Sequence, residues 1–223
     1  MALGLLWMGV SLFWALQAHV SLQLIVNPSL DIIPLQPDFK HDQFQGRWYA
    51  IGVAESDIQN ATESQLEMFS TTFELIGNDS YSVTGLMPTE HGCDLWIRTF
   101  SPSVYPGEFT LSNMEAYNYI QNYTVRVVST DYKNFGVMFM KMTKTVGVHV
   151  EITLYGRTKA LSSQVKEDFV KFSKTVGFTN DNIIFTDPIG NDHLGRGEGD
   201  IGSVQVCCPN KQKRQDLVPS CHY

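Results

Sequence analysis

From residue 47 to residue 156 apolar and polar side chains alternate in short runs. The segments RWYAIGVA, EMFSTTFELI, SYSVTGLM, DLWIRTF, GEFTLSN, NYTVRVVS, GVMFMKM and HVEITLYG each place successive residues on opposite faces, as half-buried strands do. Turn-forming clusters separate most of them: Gly77-Asn78-Asp79, Glu90-His91-Gly92, Pro106-Gly107 and Asp131-Tyr132-Lys133-Asn134. About eight strands in succession, with no helix between them, predict an all-β fold: an antiparallel sandwich or a closed up-and-down barrel. One strand carries an oddity. In VGVHVEITLYGR, residues 146–157, one face holds Val148, Val150, Ile152 and Leu154, and the other holds His149, Glu151, Thr153 and Tyr155. If the second face lines a cavity, the Glu151 carboxylate decides what that cavity accepts.

The period then changes. In SSQVKEDFVKFSKTVGF the apolar residues Val165, Phe169, Phe172 and Val176 fall at helical spacing and form one stripe. Ser162 or Ser163 is placed to cap its start, Glu167 and Asp168 come early, and Gly177 is placed to close it. A helix with one apolar stripe must dock, and the outer wall of the barrel is the natural place. Residues 19–42 form a proline-spaced lead-in, and residues 43–190 the folded domain. Residues 191–223 lose all periodicity and read as a flexible tail.

Composition narrows the function. Hydrophobic residues make up 43% and charged residues 17%, which allows a real core and argues against disorder. A formal net charge of −7 gives no nucleic-acid footprint. Residues 1–18, MALGLLWMGVSLFWALQA, are uncharged and apolar from Leu3 to Leu16, with Ala18 at a cleavable position. They read as a secretory signal peptide. No later stretch resembles a membrane span, so a secreted, extracellular protein without membrane insertion is expected. Three sequons at Asn60, Asn78 and Asn122 are glycosylation candidates on that route. Four cysteines remain, Cys93, Cys207, Cys208 and Cys221; in an oxidising compartment the possible partners of Cys93 all lie in the tail. No His/Cys cluster has metal-ligand spacing, so no metal is expected. His149 and Glu151 without a nucleophile read as an ordinary pairing, so no catalytic residue is assigned.

Three motifs fall in order along this pattern: Gly46-Arg47-Trp48 opening the first strand, Thr130-Asp131-Tyr132 in a later turn, and Arg157 after the last main strand. Together they resemble the signature regions of the lipocalins, over roughly residues 40–190. The resemblance implies an eight-stranded antiparallel up-and-down β-barrel, or calyx, with one C-terminal α-helix packed outside. It also implies that Trp48 plugs the closed end, with Arg157 stacked on its face.

The segments DQFQGRWY, CDLWIRTF, PGEFTL, VRVVST and ITLYGRTK are similar to the lipocalin branch that sequesters iron-loaded catecholate siderophores. That branch holds its ligand among three calyx cations and surrounding aromatics. Carried over residue by residue, Arg98 keeps one cation, while Met142 and Glu151 occupy the other two positions. Trp96, Tyr123 and Tyr155 match the aromatics, and Phe69 replaces a tyrosine. Thr71, Met140 and Thr153 complete the expected lining. Arg98 is expected close enough to Glu151 to neutralise it, leaving a near-neutral calyx. The expectation is a binder and carrier of a small hydrophobic or aromatic ligand. Retained siderophore binding through Arg98 is the alternative, and a cell-surface receptor is a possible partner. No cofactor of its own is implied, and iron enters only through a bound siderophore. An isomerase-like lipocalin is disfavoured, because Phe69 sits about where that enzyme needs a thiol. The resemblance also implies a disulfide from Cys93 to a position shortly after the helix, but that position reads Asp192 here.

Overall fold

The computed structural model describes residues 26–61, 65–89 and 92–188. Eight strands follow one another: β1 (Gly46–Glu55), β2 (Ser70–Gly77), β3 (Ser80–Thr89), β4 (Gly92–Pro102), β5 (Glu108–Leu111), β6 (Ile120–Thr130), β7 (Phe135–Lys144) and β8 (Gly147–Gly156). Each from β2 to β7 pairs antiparallel with the next, and β1 pairs with both β8 and β2, so the sheet closes into the expected barrel. Alternation explains the closure: one face of each strand supplies a shared interior, the other an exterior. The β2–β3 turn uses left-handed backbone at Asn78 and Asp79, which these residue types tolerate.

Two α-helices, three single-turn 3-10 helices and one further strand complete the described fold. Helix α1 (His41–Phe44) enters β1 at the closed end. Helix α2 (Ser163–Thr175) begins at Ser162, whose hydroxyl accepts from the Val165 N–H. Its first turn carries no acid, so Glu167 and Asp168 sit too far along to serve that terminus. Phe169 and Val176 are buried against the outer faces of β1, β7 and β8, among Ile51, Ala54, Phe139, Val150, Ile152 and Leu154. The ninth strand, β9 (Ile183–Phe185), pairs with Gly52–Ala54 of β1 and was not expected; three residues are too short for alternation to register.

Strand β1 pairs with β2 only at Gly46–Tyr49, and its ladder with β8 slips by one residue between Ala50 and Gly52. This bulge reverses the alternation. Trp48 and Ala50 join the interior cluster, Ile51 and Ala54 join the outer one, and Gly52 faces Phe185 and Phe169. Val53 and Glu55 therefore turn to the side of their β8 partners Thr153 and Glu151.

Outside the wall, the lead-in is held by a buried ion pair. Arg126 contacts Glu108 at 2.6 Å and also donates to the Leu30 and Ile33 carbonyls. The stretch read as a signal peptide, the tail with Asp192, Cys207, Cys208 and Cys221, and with them the expected pairing of Cys93, lie outside the described residues. Among the described residues no helix is long and apolar enough to cross a membrane.

Candidate ligand site

The closed end is built from the motif residues. Trp48 is fully buried, and the Arg157 guanidinium lies over its ring at 3.6 Å. Arg157 Nε donates to the Tyr132 carbonyl at 3.0 Å, and its Nη atoms donate to the Arg47 and Gln43 carbonyls at 3.1 and 2.9 Å. Trp48 Nε1 donates to the Phe44 carbonyl at 2.8 Å. Thr130 and Asp131 shape the turn that presents Tyr132: the Thr130 hydroxyl donates to the Phe135 carbonyl, and Asp131 accepts from the Lys133, Asn134 and Phe135 N–H groups. Burial works to raise the Asp131 carboxyl, but these hydrogen bonds outweigh it and hold the group below its ordinary value. Gly46, with φ +100, lets the chain turn beneath Arg157.

Above this plug the interior faces bring the expected lining together. Trp96, Tyr123, Met140, Met142, Tyr155 and Phe69 belong to, or pack against, one interior cluster. Gly85 is the Cα partner of Trp96, and a Cβ there would come within 1.9 Å of the indole, so the ring lies directly on the glycine backbone. The Arg98 guanidinium is 4.9 Å from the Trp96 ring centre, and its Nη1 donates to the Tyr123 hydroxyl at 3.0 Å. Thr71 is buried, and its hydroxyl shares a 3.3 Å hydrogen bond with the Tyr155 hydroxyl. Burial first, and Glu151 second among the raising influences, push both Tyr123 and Tyr155 up, so both phenols stay protonated and able to donate.

Glu151 stands on this inner wall, in line with Thr153 and Tyr155, and accepts a short hydrogen bond from the Thr153 hydroxyl. It does not pair with Arg98. The arginine is engaged by Tyr123 and Trp96, and among the described residues no salt bridge joins it to Glu151. Instead the carboxylate meets a second one, because the β1 bulge makes Glu55 its direct ladder partner. Nor is His149 paired with Glu151. Its Nδ1 lies 2.9 Å from Asp57 Oδ2, and its Nε2 lies 3.8 Å from Glu55 Oε1. Burial, and then the Glu151 charge, push the Glu55 carboxyl up to about 7, against the opposing pull of His149. Folding thus makes a cluster that chain spacing did not show: ligand-type atoms of Glu55, Asp57 and His149 lie within 4.8 Å of one another. The expected Arg98–Glu151 pair is instead two separate groupings: Arg98 of β4 with Tyr123, and Glu151 of β8 opposite Glu55 of β1. Gly52 inside the β1 pattern was the available signal, since a glycine within a strand often marks a bulge.

The candidate glycosylation residues Asn60, Asn78 and Asn122 are all exposed. Cys93 is the one cysteine among the described residues, in β4 opposite Pro88.

A family model for the lipocalin / cytosolic fatty-acid binding proteins matches residues 45–189. The chain belongs to the lipocalin family. Among its relatives, mouse neutrophil gelatinase-associated lipocalin is 46% identical over 193 residues, covering 84% of this chain and 96% of that protein. The human protein of that name is 43% identical, over 85% of this chain and 97% of its own length. Mouse prostaglandin-H2 D-isomerase is 30% identical over 82% of this chain and 94% of that protein. The solution structure of lipocalin 12 from rat epididymis superposes with a TM-score of 0.64 at 25% identity, covering 73% of this chain and 91% of that one. In lipocalin terms, Trp48 and Arg157 close one end of the calyx, and Trp96, Tyr123 and Tyr155 pack in its interior.

Proposed function

We propose that this lipocalin is a secreted, non-enzymatic carrier of a small aromatic or apolar molecule, and that it is a poor receptor for multiply anionic iron complexes. One observation carries the reading: Glu151 stands on the inner wall with a second carboxylate, Glu55, as its ladder partner, while Arg98 is engaged by Tyr123. Met142 is also on that wall, packed against the interior cluster. Where the resemblance places two cations, the calyx therefore offers a thioether and a carboxylate. Methionine and aromatic walls adapt to apolar shapes. A triply charged guest meets repulsion from Glu151 and loses the attraction of two cations, each worth on the order of 1 kcal/mol or more even in a screened site. Phe69, at the calyx wall where an isomerising lipocalin needs its thiol, supports the non-enzymatic reading.

A second reading, retained siderophore capture, is favoured by the Arg98 guanidinium held over Trp96 and against Tyr123. Quenching of tryptophan fluorescence by ferric enterobactin separates the two. The expected outcome is weak quenching by the native chain and a gain of about 100-fold in affinity in a Met142→Lys, Glu151→Lys variant. Tight native binding that the double substitution leaves unchanged selects the second reading instead.

A further inference from the structure

The mouth of the calyx carries chemistry that a purely apolar ligand would not use. Glu55 and Glu151 are direct partners in the β1–β8 ladder and face the same side. Side chains so placed stand about 5 Å apart at Cβ, and like charges there oppose folding. Asp57 and His149 extend the same wall toward the rim, joined at 2.9 Å. The other cation acting on Glu55 is Lys144 of β7. Arg98 stands on β4, four strands around the ring from β8, and is engaged there by Tyr123. Three carboxylates therefore share the mouth with one histidine and one lysine. Glu151 also keeps spare acceptor capacity, since among the described residues Thr153 is its one hydrogen-bond donor.

We propose that the mouth recognises a protonated amine: the ligand carries an aromatic or apolar body that lies on the inner wall and an ammonium group that lies against Glu55 and Glu151. This rests on the calyx-binding reading above and specifies the chemistry of the ligand. An ammonium has three donors and no acceptor, so between the two facing carboxylates it can donate to both at once. Its charge turns a destabilising like-charge pair into a favourable triad. Trp96, Tyr123 and Phe69, which belong to or pack against the interior cluster, receive the body of the same molecule.

A proton accompanies the ligand. Burial and the Glu151 charge hold Glu55 up at about 7, with His149, Asp57 and Lys144 as the other groups acting on it. A bound cation favours the carboxylate and lowers that value, so near neutral pH binding releases a proton from Glu55 to the solvent.

Two probes with the same body test this: 2-(1-naphthyl)ethylamine and 2-(1-naphthyl)ethanol, titrated calorimetrically into the full chain near pH 7 and near pH 8. The amine should bind at least about tenfold tighter than the alcohol. Glu55→Gln and Glu151→Gln, both isosteric, should each bring the two affinities together. Near pH 7 the amine's binding heat should vary with the ionisation heat of the buffer in the native chain, and not in Glu55→Gln. An alcohol that binds as tightly as the amine overturns the amine site and leaves the calyx reading standing. If neither probe binds, the calyx reading falls and the amine site with it. Zinc(II) binding that Glu55→Gln abolishes, with no preference for the amine, assigns the mouth to a metal and likewise overturns the proposal.

Discussion

The two ends of the barrel satisfy their charges in opposite ways. At the closed end Arg157 rests on an aromatic ring and gives its N–H groups to main-chain carbonyls from three separate segments. Tyr132 and Tyr81 lock the same end through the Lys40 N–H and the His41 carbonyl. Among the described residues no salt bridge joins that cation to a carboxylate, although the Asp131 charge acts on it, and its hydrogen-bond acceptors are main-chain carbonyls, which do not titrate. At the mouth the partners are side chains that themselves ionise: Glu55, Asp57, His149 and Glu151. The difference shows which end is scaffold and which is selective. Hydrogen bonds to the backbone tie Trp48 and Arg157 to the path of the chain. The groups at the mouth hold one another through their side chains.

The largest break in this contrast comes from the plug. Trp48→Ala removes a fully buried indole and the platform for Arg157, and should cost about 3–5 kcal/mol in denaturant unfolding. If the loss is below about 1 kcal/mol, the closed end does not anchor the barrel.

A smaller effect is expected midway up the wall. Gly85→Ala drives a methyl group into the Trp96 indole, which must leave its seat and take its contact with Arg98 along. Destabilisation of about 1–3 kcal/mol should appear with a shift in tryptophan emission. Unchanged emission would mean that Trp96 does not lie on Gly85.

The smallest effect sharpens the mouth. Glu55 takes up its proton more readily folded than unfolded, since its folded value is raised from the ordinary carboxylate range to about 7. The stability it contributes is therefore fully present at acid pH and is lost as pH rises through about 7. Glu55→Gln should remove that slope, so that near pH 8 the variant is more stable than the native chain by on the order of 1–2 kcal/mol. Parallel pH profiles for the two chains would show that Glu55 is already ionised and free of the Glu151 charge.

Much of this was legible in the residues. Alternation marked the strands of the barrel, the spacing of Phe169 and Val176 marked the docked helix, and Gly46, Trp48, Thr130, Asp131, Tyr132 and Arg157 marked the plug. The parity shared by Glu151, Thr153 and Tyr155 turned the carboxylate inward, because β8 runs unbroken against β7 and alternation holds along its whole length. The same rule misplaces the far half of β1. Strict alternation from Trp48 would send Glu55 outward. The fold instead spends two successive residues, Ile51 and Gly52, on the outer face, where they meet the helix and β9. Only that packing decided the bulge, since one extra residue in a ladder leaves no trace in local hydrophobicity. With the bulge came the facing carboxylates and the acidic mouth, and Glu151 gained the charged neighbours that its own strand could not specify.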